Sequence, residues 1–261
     1  MDIKTLPESK TERTNRKLSS GEIHSVYEIE ALIGTGRSAQ VYRAKHVSSQ
    51  KFAIKLYYHE ISRDRVVNEY NALKRAAGPY VVKCETLDKW SDGRYFLALK
   101  MIDGESLKDL IEKKNIPDLF TFKQVANCLF ESLDKMHSPP SEDEPILHCD
   151  IKPENIILQN QIDPVLIDFG ISTIPRIGTY VGTDGYVPPD LINGVDLEYH
   201  QSGDLFALGV TLSEWFYGAK PYINTPSIHS IPVFPFGVRK DIPEKLKKWF
   251  EKSVQTYRVD A

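Results

Sequence analysis

Residue types that can do chemistry are concentrated in the stretch from His148 to Asn155 and in Asp168 shortly after it. Inside the stretch, Asp150 supplies a carboxylate and Lys152 an ammonium group. Carboxylate and amide oxygens bind magnesium, an ammonium group offsets phosphate charge, and a carboxylate can accept a hydroxyl proton. The set therefore suits phosphoryl transfer from a metal-bound donor to a hydroxyl. The plainer interpretation is a polar turn between a helix and a strand.

A second group lies near the N-terminus, in the pattern Gly34-x-Gly36-x-x-Ala39-x-Val41. Apolar runs on both sides predict a strand, a glycine turn and a second strand, unlike the strand–turn–helix of a dinucleotide site. The backbone N–H groups of such a hairpin can cover nucleotide phosphates. A tight β-turn explains the glycines equally well.

The strand predicted after this hairpin carries Ala53 and Lys55 on the same face, because side chains alternate along a strand. On that face Lys55 would reach phosphate oxygens and Ala53 would touch a nucleotide base. Glu69, on the helix predicted next, offers a carboxylate for the ammonium group. The alternatives are a solvated lysine and an ordinary exposed helix residue.

The stretch from His148 to Asn155 resembles the catalytic loop of eukaryotic-type (Hanks-type) serine/threonine protein kinases. It matches the family pattern His-Arg-Asp-x-Lys-x-x-Asn, except that Cys149 stands where the family has arginine. Asp168-Phe169-Gly170 is similar to the family's magnesium-binding triplet. Because the motifs follow one another in the family's order, the resemblance extends over residues 27–261.

This resemblance implies a role for each residue. Asp150 would accept the substrate hydroxyl proton, and Lys152 would offset charge on the transferred group. Asn155 and Asp168 would bind Mg²⁺ or Mn²⁺. Phe169 would pack beneath the site.

The resemblance also implies an ATP site in which Glu69 holds Lys55 against the phosphates. Leu99 would be the gatekeeper residue, and the backbone of Lys100 and Met101 would bind the base. The remaining residues expected to contact ATP are Ile33, Gly34, Thr35, Gly36, Arg37, Ser38, Ala39, Val41 and Ala53.

Further motifs support the catalytic loop by analogy. The segment Gly182–Asp190 resembles the family's peptide-docking element, and Thr183 matches the hydroxyl that binds the catalytic aspartate and lysine. Arg258 matches the late arginine that pairs with the acid at Asp190. Asp204 would brace the backbone of the catalytic loop.

Cys149 changes the expected regulation. In the family, the arginine at this place binds a phosphorylated residue of the activation segment, and a thiol cannot make that contact. We therefore expect activity without activation-segment phosphorylation. Thr179 and Tyr180 are candidate autophosphorylation sites or simply exposed hydroxyls. Cys149 itself is either a redox or covalent-ligand site or a small neutral filler. We expect the filler, since Asp150 disfavours a thiolate.

Hydrophobic periodicity and the resemblance together predict an α+β, bilobal protein-kinase-like fold. Predicted strands cover 27–33, 41–46, 51–57, 80–89, 94–101, 156–158 and 164–167. Predicted helices follow Ser62 and cover 107–111, 122–136, 204–218 and 242–256. The expected organisation is a flexible polar tail over 1–22, then a kinase domain over 23–261 with N-lobe 23–99, hinge 100–103 and C-lobe 104–261.

Composition narrows the class of protein. The 33 basic and 36 acidic residues are nearly balanced, which argues against nucleic-acid binding. Three widely spaced cysteines favour a reducing compartment. Because the sequence also has neither a membrane-spanning run nor a signal peptide, we expect a cytoplasmic protein.

The predicted function is ATP-dependent phosphorylation of serine or threonine hydroxyls on protein substrates. One alternative is a pseudokinase scaffold. It is disfavoured because the chain has all the expected catalytic residues: Lys55, Glu69, Asp150, Asn155 and Asp168. The other is a kinase-fold phosphotransferase for small molecules, which the docking-like segment Gly182–Asp190 disfavours. Oligomeric state and the role of the acidic insert at 138–146 are not predicted.

Overall fold

The computed structural model describes residues 15–139, 144–170, 182–192, 198–222, 234 and 242–254. The chain divides into two compact units, one containing residues up to 66 and 85–101, and the other residues 67–84 and those from 102 onward. The described part of the first unit is rich in strands and that of the second is mostly helical, which confirms the predicted α+β content. Among the described residues, the helices are too short or too polar to cross a membrane.

A six-stranded sheet forms the first unit, in the order β1-β2-β3-β4-β6-β5. The five predicted strands are present, and a short strand at its edge is additional. The bounds are β1 (Ile23–His24), β2 (Tyr27–Thr35), β3 (Ala39–His46), β4 (Lys51–Tyr57), β5 (Cys84–Lys89) and β6 (Tyr95–Lys100). Alternate apolar side chains of these strands form its core together with Trp90, which follows β5. The strand residues of the core include Tyr27, Ile29, Tyr42, Phe52, Ile54 and Phe96.

The predicted strand over 80–89 is correct only from Cys84 onward. The preceding residues pair elsewhere, because Leu166 N–H donates to the Tyr80 carbonyl oxygen at 2.8 Å and Val82 N–H to the Leu166 carbonyl oxygen at 2.9 Å. Residues 67–84, expected in the N-lobe, accordingly belong to the second unit.

Residues 15–22 are anchored to the first unit, in contrast to the predicted flexible tail, although most of their side chains are exposed. Leu18 is buried in the core of the first unit. Arg16 binds Glu22 through a 2.7 Å contact between Nη2 and Oε1, and the Trp90 indole N–H donates to the same carboxylate at 3.0 Å. The rest of the predicted tail lies outside the described residues.

The second unit contains the remaining elements. The helices are α1 (Arg63–Arg75), which begins in the first unit, α2 (Leu107–Glu112), α3 (Leu119–His137), α4 (Pro189–Ile192), α5 (Gln201–Tyr217) and α6 (Glu244–Ser253). A three-stranded sheet contains β7 (Glu105–Ser106), β8 (Ile156–Gln159) and β9 (Asp163–Leu166). The helices and short strands predicted for this part of the chain are all present.

The helical core of the second unit is built around α5. This helix is buried on nearly all sides, as its apolar sequence requires. Phe122 of α3 lies 4.4 Å from Phe216 of α5 and 5.5 Å from Phe250 of α6, measured between ring centroids. These contacts hold the C-terminal end of α5, and Asp204 lies in the first turn of the same buried helix.

Candidate active site

The hairpin of β8 and β9 brings the two predicted metal ligands to the same end. β8 begins directly after Asn155, and β9 ends two residues before Asp168. Ile156 pairs with Leu166, and the Ile167 N–H donates to the Asn155 carbonyl oxygen at 3.0 Å. The candidate ligands therefore lie at one end of a hydrogen-bonded hairpin.

Asp150 lies in a closed network with the residues predicted to act with it. Its Oδ2 accepts a hydrogen bond from Lys152 Nζ at 2.8 Å, and its Oδ1 accepts one from Thr183 Oγ1 at 2.6 Å. Lys152 Nζ also donates to Thr183 Oγ1 at 2.8 Å. The three side chains form a triangle, which fixes the direction of the carboxylate.

Asn155 is oriented by the same aspartate. Its Nδ2 donates to the Asp150 carbonyl oxygen at 2.8 Å and to Asp150 Oδ2 at 3.2 Å. With the amide nitrogen held in this way, the amide oxygen is the atom that would face a cation. The side chain is buried, so its direction is well determined.

The donor set fits a magnesium or manganese ion. Mg²⁺ is usually bound by one or two protein oxygens, with waters and substrate phosphates completing its six ligands. Asn155 and Asp168 would supply two such oxygens. Among the described residues, no group of three or more His, Cys, Asp or Glu residues is placed to hold a metal ion.

The backbone at Asp168 has a left-handed conformation. Its φ is +62°, a value uncommon for residues other than glycine. Oδ1 of Asp168 accepts from the Gly170 N–H at 3.3 Å. Phe169 is fully buried, and its ring lies 4.6 Å from that of His148, so the predicted packing of Phe169 beneath the catalytic loop is observed.

Asp204 anchors the start of the catalytic loop, as predicted. It accepts hydrogen bonds from the backbone N–H of His148 at 2.8 Å and of Cys149 at 2.9 Å. Two further partners were missed by sequence reasoning: His137 Nε2 lies 2.9 Å from Oδ2, and the Tyr199 hydroxyl donates to Oδ1 at 3.1 Å. For His137 a signal existed, since this polar residue continues the apolar face of α3.

Cys149 is buried in an apolar cluster with Leu147 and Tyr199. Burial raises the pKa of its thiol well above the usual range, and the nearby Asp204 and Asp150 carboxylates raise it further. A thiol that stays protonated is a poor nucleophile. The geometry supports the neutral filler over a redox centre.

The predicted ATP contacts of the first unit lie on its first strands. Lys55 is buried on β4, where it pairs with Val41 of β3 and Leu97 of β6, and its Nζ lies 5.5 Å from the centre of the Tyr57 ring. Ala53, on the same strand, pairs with Leu99. The alternation expected for Ala53 and Lys55 is present.

The glycine hairpin joins β2 to β3 through a hydrogen bond from Gly36 N–H to the Ala39 carbonyl oxygen at 2.9 Å. Gly34 and Gly36 are not in the left-handed region, and a Cβ at either would lie 3.7 Å from its nearest neighbour. The described fold thus does not require glycine at these two positions. Close approach of a ligand to the backbone gives a reason for them. The other residues assigned to this turn and its flanks are exposed or partly buried: Ile33, Thr35, Arg37 and Ser38.

The backbone of Met101 was expected to bind the base, but its N–H group already has a partner in the first unit. The Met101 N–H donates to the Lys51 carbonyl oxygen at 3.2 Å and is therefore already engaged. Leu99 and Lys100 are the last two residues of β6, as the prediction requires. The carbonyl groups of Lys100 and Met101 stay candidates for the base.

Glu69 is buried on α1, at 1% exposure, and is not the ordinary exposed helix residue of the alternative interpretation. It belongs to the second unit and Lys55 to the first, so their pairing stays a prediction. Asp190 lies in the first turn of α4. Its expected partner Arg258, the candidate sites Thr179 and Tyr180, and residues 140–143 of the acidic insert lie outside the described residues.

Taken together, the described groups are a positioned carboxylate, a lysine and two candidate oxygen ligands, an arrangement suited to phosphoryl transfer. A family model described as protein kinase domain matches residues 27–251. The chain belongs to the eukaryotic-type serine/threonine protein kinase family.

Several curated relatives are similar to the chain at 26–29% identity. Serine/threonine-protein kinase PknH of Mycobacterium tuberculosis is 29% identical over 246 residues, covering 86% of this chain and 38% of the relative. Serine/threonine-protein kinase pkn3 of Myxococcus xanthus is 28% identical over 222 residues, covering 77% and 39%. Misshapen-like kinase 1 of Rattus norvegicus is 26% identical over 246 residues, covering 87% and 18%. The chain therefore spans less than two fifths of the length of these relatives.

Proposed function

We propose that this chain transfers the γ-phosphoryl group of ATP to serine or threonine hydroxyls of protein substrates. The observation that carries the proposal is the triangle of Asp150, Lys152 and Thr183. It places a carboxylate, an ammonium group and a hydroxyl within hydrogen-bond distance of one another. Phosphoryl transfer depends mainly on positioning and charge stabilisation, which such a set provides.

Each group has a distinct task in the proposed reaction. Asp150 accepts the proton of the acceptor hydroxyl and directs its oxygen toward the phosphorus atom. Lys152 stabilises negative charge on the transferred group. Asn155 and Asp168 hold the magnesium or manganese ion, which when bound neutralises phosphate charge.

Nucleotide binding is assigned to the first unit, with Glu69 as partner of Lys55. Two observations support the assignment: Lys55 is a buried lysine on a central strand, and Gly34 and Gly36 are glycines that the described backbone does not need. Buried lysines normally have a specific role or partner.

We also infer that activity does not require phosphorylation of the activation segment. Cys149 carries no positive charge, and its backbone N–H is already bound by Asp204. The catalytic loop is thus held from within the second unit. Protein treated with phosphatase and then repurified is expected to keep its activity, and loss of nearly all activity would refute this inference.

The main experiment uses labelled ATP, a generic basic protein and Asp150→Ala beside the wild-type chain. Labelling by wild type that the variant abolishes supports the proposal. Nucleotide binding without labelling by either protein indicates a pseudokinase scaffold. Transfer to a small metabolite but to no protein indicates a small-molecule phosphotransferase. Phosphoamino-acid analysis of the labelled protein then tests the serine/threonine assignment, which phosphotyrosine would contradict.

A further inference from the structure

Tyr186 belongs to a group of interacting charged side chains in the second unit, which we call the charged cluster: Lys108, Glu154, Glu214 and Lys220. The Tyr186 hydroxyl donates to Glu214 Oε2, and Lys220 Nζ lies 4.0 Å from the centre of the Tyr186 ring. Lys108 Nζ lies 3.2 Å from Glu154 Oε1. The cluster contains two positive and two negative groups, so its formal charges cancel.

The charged cluster is connected directly to the proposed catalytic residue. Thr183 Oγ1 binds Asp150, and the Tyr186 N–H donates to the Thr183 carbonyl oxygen at 3.0 Å. Glu154 follows Asp150 in the catalytic loop and lies in its 3₁₀ turn. One short turn therefore connects the group that would receive the acceptor hydroxyl to Tyr186 and the charges around it.

Lys220 has a defined place in this cluster. A cation over a tyrosine ring at this distance is attracted by the ring's electrons. Gly185, with φ of +86°, lies beside the ammonium group, since a Cβ at that position would be 3.1 Å from Lys220 Nζ. The chain thus leaves room for the ammonium group at the edge of the segment that resembles a peptide-docking element.

The positive charge of Lys220 stabilises the ionised carboxylate of Glu214. Burial raises the pKa of Glu214, while the Tyr186 hydrogen bond and the charge of Lys220 act in the opposite direction. Glu154 raises the same pKa by like-charge repulsion, and Lys108 lowers it. Without Lys220 the formal charge of the cluster would be negative by one unit.

We propose that Lys220 is a substrate-specificity residue, which cancels the charge of Glu214 and so removes any preference for a basic residue near the acceptor hydroxyl. The inference rests on the proposed function. It assigns the substrate class as serine or threonine segments whose neighbouring residues are neutral or acidic. Lys220 acts on peptide binding and not on the transfer step.

The test compares two acceptor peptides that differ in one residue near the acceptor serine, arginine in one and glutamine in the other. For each protein variant the ratio of the two kcat/KM values is measured, so that general losses of activity cancel. We expect a ratio near unity for wild type. In Lys220→Ala the ratio should shift toward the arginine peptide by about 3- to 10-fold through KM, the size expected for one partly solvated charge.

Three further variants make the test specific. Lys220→Met keeps an apolar stem on the Tyr186 ring and should show the same shift, which separates charge from packing. Lys220→Ala combined with Glu214→Gln should return the ratio to the wild-type value. Lys135→Ala removes an exposed lysine paired with Glu131 on α3 and should not change the ratio.

The outcomes distinguish failure of this inference from failure of the proposed kinase function. A folded Lys220→Met that phosphorylates both peptides with an unchanged ratio overturns the inference and leaves the kinase activity standing. A strong arginine preference in wild type overturns it as well. Failure of wild type to phosphorylate any peptide overturns the proposed function, and the inference with it.

Discussion

Two aspartates with different surroundings hold the catalytic loop, one at its start and one at its centre. At its start, Asp204 is fully buried and accepts two backbone N–H groups. At its centre, Asp150 keeps 9% of its surface exposed and is held by side chains, Lys152 and Thr183. The same functional group thus fixes the main chain in one place and is itself held in the other.

The difference follows from the donors. A backbone N–H group cannot change direction unless the backbone conformation changes. The hydrogen bonds to Asp204 are therefore as rigid as the surrounding fold. Side-chain donors can rotate, and Lys152 has two acceptors to choose from. Substitution at Asp204 should therefore cost stability, and substitution at Asp150 should cost activity.

The largest effect is expected from Asp150→Asn. Removal of the base should lower kcat by about 10³-fold or more, because an amide cannot accept the hydroxyl proton. ATP affinity and the free energy of unfolding should change little, as the amide still fits beside Thr183. Single-turnover phosphorylation and urea unfolding measure the two quantities. A variant that unfolds more easily but retains kcat would reverse the comparison.

Asp204→Ala should destabilise the protein by about 3 kcal/mol, because it leaves two backbone donors buried and unsatisfied. Urea unfolding checks the value. Asp134→Ala, at an exposed position of α3, serves as the matched control and should stay within about 0.5 kcal/mol of wild type. Equal stability of the two variants would mean that Asp204 does not have the structural role assigned to it.

A smaller effect is expected at Thr183, whose hydroxyl donates to Asp150 and accepts a hydrogen bond from Lys152. Thr183→Val removes the hydrogen bonds to Asp150 and Lys152 and should lower kcat by about 10-fold. Thr183→Ser keeps the hydroxyl and should retain most of the activity. The pair of variants is compared by steady-state phosphorylation of one peptide. If serine is as damaging as valine, the hydroxyl is not the important group.

The smallest effect is expected at Glu22, a carboxylate outside the catalytic loop, and concerns the free energy of unfolding. The Arg16 guanidinium lowers the pKa of Glu22 from 4.5 to about 2, with help from the Trp90 indole N–H. A carboxyl group with a lowered pKa in the folded state stabilises the protein above its unfolded pKa. This contribution should therefore be present above about pH 4.5 and disappear as the pH falls toward 2.

Glu22→Gln should lose that pH dependence, with a change in unfolding free energy at neutral pH below about 1 kcal/mol, as for most exposed ion pairs. Urea unfolding at several pH values measures it. Glu28→Gln, at an exposed position of β2, is the control and should follow the wild-type curve. Parallel curves for Glu22→Gln and wild type would count against the ion pair.

Sequence reasoning could propose the catalytic residues because the order of their motifs along the chain is distinctive. The contacts among Asp150, Lys152 and Thr183, and the position of Asp204, agree with the roles that the resemblance implied. The types of the helices and strands followed from apolar periodicity, which is strong in α3 and α5.

What sequence reasoning missed depends on contacts between distant residues. Tyr199 reaches Asp204 from just outside α5, and residues 80–82 pair with β9 although their local pattern resembles an ordinary strand. Residues 15–22 look like a disordered tail because most of them are polar. Their packing depends on the single buried Leu18 and on the Arg16–Glu22 pair, which no periodicity reveals.

The backbone at Cys149 limits how this chain can vary over evolutionary time. Its φ is +63°, where branched residues such as valine are strongly disfavoured, and its side chain is enclosed by Leu147 and Tyr199. A mutation to arginine would place a guanidinium group in that apolar cluster. Replacement of Cys149 by a phosphate-binding arginine would thus need coordinated changes in its neighbours as well.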